Sequence, residues 1–484
     1  MTSQNGNSSA SSDDTIDRLI HAERDQFIAS LPNTDILRLA ASCHPRQQEG
    51  TFFQKPVRGS YNICYFVRFP PTSRSVDSEG EKWVIRVPIQ PCLGFDVKVK
   101  LESEVATMQL LADRTTIPAP KLIAYGIGDH SKPIPTFLIL EYVQGEKLMQ
   151  GTLQLDPDKK QNLYTSLADI YIQLRRLEFD SIGCLVRRGD NAVVGRRPVS
   201  IDTNRQELEG RQPMAVQSRY LNNDTLQSAS AYTHMLLDLA DNAFKGLKNI
   251  TEEVYSQHAF REHALAWVKP ELDHGPFVLV HGDFECRNFL VNDACQVISV
   301  LDWEWSRVVP LQFFQPPLWL RIADRSMLAG RYMYEKYLEE FDMFLKIVES
   351  REQRMYGRTL LADEWAVAKQ NSGIFVAWAL ENWTFMDTFA QLFINVRLRL
   401  LDKEEYQRQI QAFVANDPSR AALVAQSKPA SVSVSVWMRV RRAFQAASQG
   451  LRFTSPSYSS WGGFILMLCG TAYVLHASRV RSRH

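Results

Sequence analysis

The fold of this chain is decided by the segment Val280-His281-Gly282-Asp283-Phe284-Glu285-Cys286-Arg287-Asn288-Phe289-Leu290-Val291, together with Leu301-Asp302-Trp303-Glu304. Asp283 and Asn288 stand five residues apart just before an apolar run, and Asp302 follows a second apolar run fourteen residues after Asn288. The two runs flank a short polar turn, which predicts a β-hairpin. Because a hairpin brings the outer ends of its strands together, we expect the three polar side chains to converge at one end of it.

These residue types fit the chemistry of phosphoryl transfer. That reaction needs a carboxylate to orient an attacking hydroxyl and accept its proton, and oxygen ligands to hold metal ions on the phosphates. Asp283, Asn288 and Asp302 supply both. Asp and Asn are also frequent in turns that lead into strands, so a purely structural turn is the alternative for Asp283 and Asn288. Their spacing from Asp302 favours the chemical interpretation.

The part of the chain before this segment predicts a small β-rich lobe. Short β-rich runs are separated by turn residues, and one stretch has helical spacing of apolar residues. The predicted strands cover 51–57, 63–69, 83–87, 121–127 and 136–143, and the predicted helix covers 95–113. Residues 15–143 are therefore expected to form an N-terminal lobe of five antiparallel strands plus one helix.

Long amphipathic segments dominate residues 144–415, which predicts a larger, mainly helical lobe around the hairpin. The predicted helices cover 157–178, 229–247, 251–269, 324–350 and 362–398, and a loop-rich stretch covers 185–228. The expected fold class is α+β, with two lobes and the site between them.

Composition narrows the possible partners. The 484 residues include 55 Lys plus Arg against 54 Asp plus Glu, so no overall positive field indicates a nucleic-acid binder. The seven cysteines are scattered without a C-x-x-C pair, which is typical of a reducing compartment and argues against a structural zinc site.

The motif His-Gly-Asp-x-x-x-x-Asn followed by Asp-Trp-Glu resembles the aminoglycoside phosphotransferase and choline kinase group of protein-kinase-like enzymes. The variant Leu-Asp-Trp-Glu-Trp and the long insert near 185–228 look most like fungal members of that group. The resemblance covers roughly residues 50–400. It implies ATP and Mg²⁺ as cofactors, Asp283 as the catalytic base, Asn288 and Asp302 as magnesium ligands, and His281 as a structural residue that braces the loop.

In the kinase plan, a basic residue on the third strand reaches the nucleotide phosphates and pairs with a Glu on the next helix. The candidates are Arg86 and Glu104, which are eighteen residues apart. The usual basic residue is Lys, so Arg86 departs from the pattern, although a guanidinium also binds phosphate oxygens. An exposed cation at a strand end and a solvated helix residue are the alternatives for Arg86 and Glu104.

Two further segments are candidates for contacts with the nucleotide. The turn containing Gly59, Ser60 and Asn62 could present backbone N–H groups to phosphates, and a plain β-turn is the alternative. The run 137–145 resembles the inter-lobe hinge of this family, in which backbone groups near Glu141, Tyr142 and Val143 would pair with the adenine edge. A buried strand followed by a loop is compatible with that role.

The two ends of the chain differ from the rest. Residues 1–14 are polar and are expected to be disordered. Residues 416–460 are expected to be a linker with a basic amphipathic helix, and the nearly uncharged run 461–477 within 461–484 is a candidate tail anchor. The alternative for that run is a helix docked on the enzyme. An anchor would place a cytoplasmic catalytic domain on an intracellular membrane.

The expected function is ATP- and Mg²⁺-dependent phosphoryl transfer to the hydroxyl of a small molecule. The first alternative is a catalytically weak or inactive nucleotide-binding scaffold, motivated by Arg86 and by the glycine-poor phosphate loop. The second is a protein kinase that acts on polypeptides. The chain argues against it, because His-Gly-Asp and Asp-Trp-Glu replace His-Arg-Asp and Asp-Phe-Gly and no Ala-Pro-Glu motif follows.

Overall fold

Five antiparallel strands form the sheet of the first lobe. They run in the spatial order β1-β2-β3-β5-β4 and are β1 (Thr51–Arg58), β2 (Asn62–Arg68), β3 (Lys82–Pro88), β4 (Leu122–Gly126) and β5 (Phe137–Glu141). The computed structural model describes residues 12–71, 80–149, 151–244, 251–329, 331–383, 386, 403–418 and 421. The predicted strands are all present, with ends shifted by one or two residues.

The central strands β2 and β3 are buried because most of their residues are apolar. Their inward side chains form one core with residues of β5. The edge strand β1 is largely exposed, and its pairing with β2 is interrupted by register shifts on both sides of Gln54. Such irregularities are frequent at sheet edges, where they reduce pairing with other chains.

Helix α3 (Val97–Arg114) follows β3, as the sequence predicts. It begins where the Asp96 side chain accepts a hydrogen bond from the Lys98 N–H, which satisfies one of the free donors at the helix start. Its apolar side chains pack into the core of the second lobe, while two charged side chains, Lys100 and Glu104, are also buried. Buried charges require partners, and those partners form the site described below.

Two helices that the sequence analysis did not predict precede the sheet. They are α1 (Ser12–Ala29) and α2 (Asn33–Cys43). Apolar residues of both helices, among them Ile20, Phe27 and Ile36, pack against the core of the first lobe. The assignment of residues 1–14 to a disordered terminus is therefore wrong for residues 12–14, because a helix begins at Ser12. Residues 1–11 lie outside the described part of the chain.

The second lobe is mainly helical, as predicted. Its described helices are α4 (Pro157–Arg175), α5 (Ile201–Leu208), α6 (Pro213–Gln217), α7 (Ala229–Phe244), α8 (Thr251–Trp267), α9 (Arg331–Tyr356), α10 (Leu360–Gln370), α11 (Gly373–Glu381) and α12 (Lys403–Ala415). Three of the predicted helices match closely. The predicted helix 362–398 is wrong as a single element, because Ser372 adopts a left-handed conformation (φ 59°) that separates α10 from α11.

The stretch 185–228, predicted to be loop-rich, contains regular structure. Strands β8 (Cys184–Arg188) and β9 (Asn191–Arg196) form a hairpin, and α5 and α6 follow it. The elements are short, so their apolar periodicity is weak in the sequence. The segment 184–217 is called the insert below.

The predicted hairpin that carries the decisive motif is confirmed. Strand β11 (Phe289–Val291) pairs with β12 (Val297–Val300), and β6 (Glu146–Lys147) pairs with β11 from the other side. A second small sheet joins β7 (Glu178–Phe179), β10 (Phe277–Val280) and β13 (Arg307–Pro310). The catalytic-loop candidate 281–288 connects β10 to β11, so both ends of the loop are held in sheets.

The expected class is confirmed: an α+β protein with a five-stranded antiparallel sheet in the first lobe and a larger, mainly helical second lobe. In the part of the chain that the structure describes, no helix combines the length and hydrophobicity that a membrane span requires. The candidate anchor 461–484 and residues 419–420 and 422–460 of the predicted linker lie outside that part.

Candidate active site

The loop between β10 and β11 brings Asp283, Asn288 and His281 together. The Asn288 Nδ2 donates to the Asp283 backbone oxygen at 2.7 Å and to the Asp283 Oδ2 at 3.2 Å. Asn288 is 4% exposed, whereas the Asp283 side chain is 17% exposed and reaches solvent. Because the Asn288 amide nitrogen is used by Asp283, its Oδ1 is the atom that would face a cation.

His281 is held between the two halves of the motif. Its Nδ1 accepts a hydrogen bond from the Asp283 N–H at 3.3 Å, so its Nε2 carries the proton and donates to the Leu301 backbone oxygen at 2.7 Å. Burial lowers the pKa of His281. The neutral imidazole uses both ring nitrogens in hydrogen bonds. It links the backbone of Asp283 to that of Leu301, the residue before Asp302. This geometry agrees with the bracing role and offers no free nitrogen for proton transfer.

Asp302 follows β12 in a left-handed conformation, with φ 60° and ψ 54°. Asp and Asn tolerate this region better than most residues because their short polar side chains bond locally. The Asp302 side chain is 43% exposed, and its Oδ1 accepts a hydrogen bond from the Arg86 Nη1 at 3.1 Å. Asp302 is thus an accessible carboxylate at the end of the hairpin, directly across from β3 of the first lobe.

Arg86 is the centre of a buried charge cluster between the lobes. Its Nη2 lies 2.7 Å from the Glu104 Oε2 and 2.9 Å from the Glu304 Oε2, while its Nη1 contacts Asp302. Arg86 is 4% exposed and Glu104 2%. The alternatives of an exposed strand-end cation and a solvated helix residue are therefore wrong, and the predicted pairing of Arg86 with Glu104 is present.

Two members of this cluster, Glu304 and Lys100, were not predicted as site residues. The Glu304 Oε2 accepts hydrogen bonds from the Asn62 Nδ2 at 2.6 Å, from Arg86 and from the Lys100 Nζ. The Lys100 Nζ also lies 5.3 Å from the Tyr61 ring centre and 5.0 Å from that of Trp305, a cation–π arrangement. A signal was present in the sequence: Lys100 precedes Glu104 by one helical turn on an otherwise apolar face.

Burial and charge oppose each other in this cluster. Burial disfavours the charged form of Arg86, yet Glu104 and Glu304 together hold its pKa above the ordinary value. Burial also opposes ionisation of Glu304, but Lys100 and Arg86 lower its pKa overall. Burial raises the pKa of Glu104 to about 7. Glu304 is therefore the ionised partner of both Arg86 and Lys100, whereas Glu104 ionises less readily than Glu304.

The predicted phosphate turn is linked to the same cluster. Gly59 and Ser60 are exposed in the turn between β1 and β2, and the Gly59 N–H donates to the Asn62 backbone oxygen at 2.8 Å. Asn62 itself is buried, and its amide binds Glu304. The Gly59 N–H is thus already bonded within the turn, the Asn62 side chain has a structural partner, and Ser60 stays exposed.

The hinge candidates are partly engaged in the sheet. The Glu141 N–H donates to the Lys121 oxygen at 2.9 Å and the Tyr142 N–H to the Lys82 oxygen at 3.0 Å. Among the described residues, the Val143 N–H has no hydrogen-bond acceptor. Of these three N–H groups, only that of Val143 is open to an adenine edge.

Gly282 in the His-Gly-Asp motif is required by close packing. Its φ is +81°, and a Cβ there would lie 2.1 Å from the Trp305 backbone oxygen and 2.9 Å from the Arg307 Nη1. Arg307 is itself fixed by an ion pair of 2.6 Å with Glu381. A cavity of about 100 Å³ adjoins this contact, and Gly282 and Phe284, on either side of Asp283, lie in its wall.

A comparison with protein families identifies the class of protein as a phosphotransferase. The model of the phosphotransferase enzyme family matches residues 70–313, which is half of the chain and includes the third strand, the catalytic loop and the Asp-Trp-Glu motif. The chain belongs to this family.

Several curated fungal proteins resemble the chain over part of its length. All carry the name altered inheritance of mitochondria protein 9, mitochondrial. The protein from Scheffersomyces stipitis is 25% identical over 136 residues, covering 27% of this chain and 22% of that protein. The one from Zygosaccharomyces rouxii is 27% identical over 196 residues, covering 38% and 30%. The matched part of the chain thus spans less than a third of these relatives.

Solved structures of an aminoglycoside and a macrolide phosphotransferase also match the chain, at low identity. Aminoglycoside phosphotransferase APH(4)-Ia, in a ternary complex with AMP-PNP and hygromycin B, gives a TM-score of 0.40 at 12% identity, covering 80% of this chain and 99% of that one. Macrolide 2′-phosphotransferase MphH from Brachybacterium faecium gives 0.37 at 16% identity, covering 82% and 99%.

Proposed function

We propose that this chain transfers the terminal phosphoryl group of ATP, with Mg²⁺, to a hydroxyl of a small molecule. The observation that carries the proposal is the arrangement of two carboxylates and an amide at one end of the β11–β12 hairpin, opposite Arg86 on β3. Membership of the phosphotransferase family supports the reaction class.

The residues present suit a magnesium ion held on phosphates. Mg²⁺ prefers oxygen ligands and is usually bound by one or two protein groups together with phosphate oxygens and water. The Asn288 Oδ1 and the accessible Asp302 carboxylate are oxygens of this kind. The bound metal would neutralise charge that develops on the phosphates. Asp283 would orient the acceptor hydroxyl and accept its proton, and Arg86 would contact the phosphates.

The test is Mg²⁺-dependent ATP binding and ATP consumption by the full chain, compared with Asp302→Ala and Asp283→Ala. We expect Asp302→Ala to abolish Mg²⁺-dependent binding, and Asp283→Ala to leave binding largely intact while it removes transfer. Asp293→Ala is the matched control, because Asp293 is an exposed carboxylate on the turn of the same hairpin. Equal loss of binding in the first two variants would refute this division of roles.

A non-catalytic nucleotide-binding scaffold is the second candidate function. It is favoured by one observation: both terminal nitrogens of Arg86 are already bound to carboxylates, which leaves less of the guanidinium for phosphates. Mg²⁺-dependent ATP binding by the wild-type chain that no tested acceptor converts into ADP release would favour the scaffold. The protein-kinase alternative would require phosphorylation of generic peptides that Asp283→Ala removes.

For cellular location, we propose that residues 461–484 anchor the chain to an intracellular membrane with the catalytic lobes in the cytoplasm. The fungal relatives carry the word mitochondrial in their names, so the mitochondrion is the first membrane to examine. Fractionation of the full chain and of a chain ending at residue 460, with protease treatment of intact organelles, tests this. Retention of the shortened chain on membranes, or protection of the lobes from protease, would refute it.

A further inference from the structure

The insert contacts the first lobe at the segment that leads into helix α3. Asn204 on α5 makes two hydrogen bonds there: its Oδ1 accepts from the Gly94 N–H at 2.9 Å, and its Nδ2 donates to the Cys92 backbone oxygen at 3.1 Å. Asn204 is 1% exposed. A buried amide whose donor and acceptor are both used by one distant backbone segment fixes that segment in position.

The packing around this contact is tight. A Cβ on Gly94 would lie 2.5 Å from the Glu207 Cβ and 2.9 Å from the Asn204 backbone oxygen, so the backbone of α5 approaches the entry to α3 as closely as a glycine permits. The β8–β9 hairpin, which forms the first part of the insert, contacts α3 directly. Strand β8 packs along the helix, and Arg196 on β9 forms an ion pair of 3.0 Å with Glu102 on α3.

Helix α3 carries the two residues that complete the buried cluster. Glu104 binds Arg86, and Lys100 binds Glu304 two residues after Asp302. A displacement of α3 by one or two ångströms would break these contacts, because hydrogen bonds weaken steeply beyond about 3.2 Å. The position of α3 therefore determines whether Arg86 and Glu304 are held opposite the hairpin.

We infer that the insert clamps helix α3, and that Asn204 is the positioning residue through which α5 sets the register of Arg86, Glu104 and Glu304. The clamp lies within one chain, because a segment of the second lobe fixes a helix of the first lobe. The positioning of α3 stands on the geometry alone. Its consequence for ATP affinity rests on the proposed function.

Amide hydrogen exchange on the full chain tests the clamp. We expect Asn204→Ala to accelerate exchange of the amides of residues 97–114 roughly tenfold, the effect of losing two buried hydrogen bonds. Asn204→Ser keeps a neutral hydroxyl that can bond to only one of the two backbone groups and buries no charge, so it should give a smaller acceleration at the same residues. This second variant keeps the test valid if Asn204→Ala does not fold.

Gln217→Ala is the matched control. Gln217 is a buried amide in the same insert, but its Nε2 donates to the Pro198 oxygen, within the insert. It should leave exchange in α3 unchanged. Unchanged exchange of α3 in both Asn204 variants, or equal acceleration in α3 and in the distant helix α9, would overturn the clamp.

A separate experiment measures Mg²⁺-ATP binding. If the wild-type chain binds ATP, Asn204→Ser should weaken Mg²⁺-ATP binding severalfold while the rate at saturating ATP changes less, because the variant shifts α3 and leaves Asp283 in place. Altered α3 exchange with unchanged ATP affinity would retain the clamp and refute its link to the nucleotide. Absence of ATP binding by the wild type would refute the proposed function and leave the exchange result to decide the clamp.

Discussion

Glu304→Gln removes the negative charge that three buried donors share. The Glu304 Oε2 accepts from Asn62, Arg86 and Lys100, and the side chains of Arg86 and Lys100 are each 4% exposed. Arg86 retains Glu104 and Asp302, but among the described residues the only ion pair of Lys100 is with Glu304. The substitution therefore leaves a buried ammonium group without a carboxylate.

Breaking a buried ion pair by removing one partner typically costs about 3–5 kcal/mol. The Gln oxygen still accepts one hydrogen bond, so we expect a loss of about 3 kcal/mol in the free energy of unfolding. This is a large share of the roughly 5–15 kcal/mol that stabilises a typical protein. Denaturant unfolding monitored by tryptophan fluorescence measures it, since Trp305 is buried beside Glu304.

The control and the double variant make the reasoning refutable. Arg196→Ala removes an ion pair on the outer face of α3 whose side chains are 42% and 36% exposed, and it should cost less than about 1 kcal/mol. Lys100→Met added to Glu304→Gln removes the orphaned charge and should restore at least about 1 kcal/mol. A Glu304→Gln effect no larger than that of Arg196→Ala, or strict additivity in the double variant, would contradict the assignment of Glu304 as the ionised partner of Lys100.

Three other substitutions give distinct outcomes. Arg86→Lys replaces a guanidinium that reaches three carboxylates with a single nitrogen, so Mg²⁺-ATP affinity and thermal stability should both fall. A gain in ATP affinity would show that Arg86 binds phosphates less well than the usual Lys, and it would favour the non-catalytic scaffold. Gly282→Ala would place its Cβ 2.1 Å from the Trp305 oxygen, so it should lower the free energy of unfolding by more than about 2 kcal/mol in denaturant unfolding. Gly189→Ala is the control: Gly189 also has a positive φ (+61°), but its Cβ would meet no atom within 4 Å, so the cost should be only about 1 kcal/mol. Asp202 on α5 has a pKa raised by burial from 3.8 to about 7, so it binds its proton more tightly in the folded state; stability should fall as pH rises from about 4 to 7, and Asp202→Asn should flatten that part of a thermal-melting profile against pH. An unchanged profile in Asp202→Asn would contradict the raised pKa.

The strands, helix α3 and the hairpin were predictable because each has a strong local signal. Apolar alternation and turn residues mark the five strands, and the spacing of Asp283, Asn288 and Asp302 marks the loop and hairpin without any knowledge of packing. The pairing of Arg86 with Glu104 was predicted from the kinase plan, which puts a basic residue on the third strand and its Glu partner on the next helix. Their almost complete burial did not follow, because the sequence does not show which carboxylates lie across the interface between the lobes.

The features that were missed depend on tertiary contacts. Helix α1 begins in a polar stretch and is held by packing of Ile20 and Phe27 on the sheet. Helix α5 and the β8–β9 hairpin are too short for a clear periodic signal. Lys100 and Glu304 each look like ordinary charged residues until the lobes meet, since they are 204 positions apart in the chain.

The bonds of Glu304 also govern how the two lobes can move. Glu304 belongs to the second lobe, and its partners Asn62, Arg86 and Lys100 belong to the first. A wide opening of the two lobes would therefore separate buried charged groups, which costs much more than separating hydrated surfaces. Motions that open a cleft usually use elements with few buried contacts. The turn at Gly59 and Ser60 is exposed, whereas the contacts of Glu304 with the first lobe are buried. We therefore expect any relative motion of the two lobes to keep Glu304 in contact with Asn62, Arg86 and Lys100.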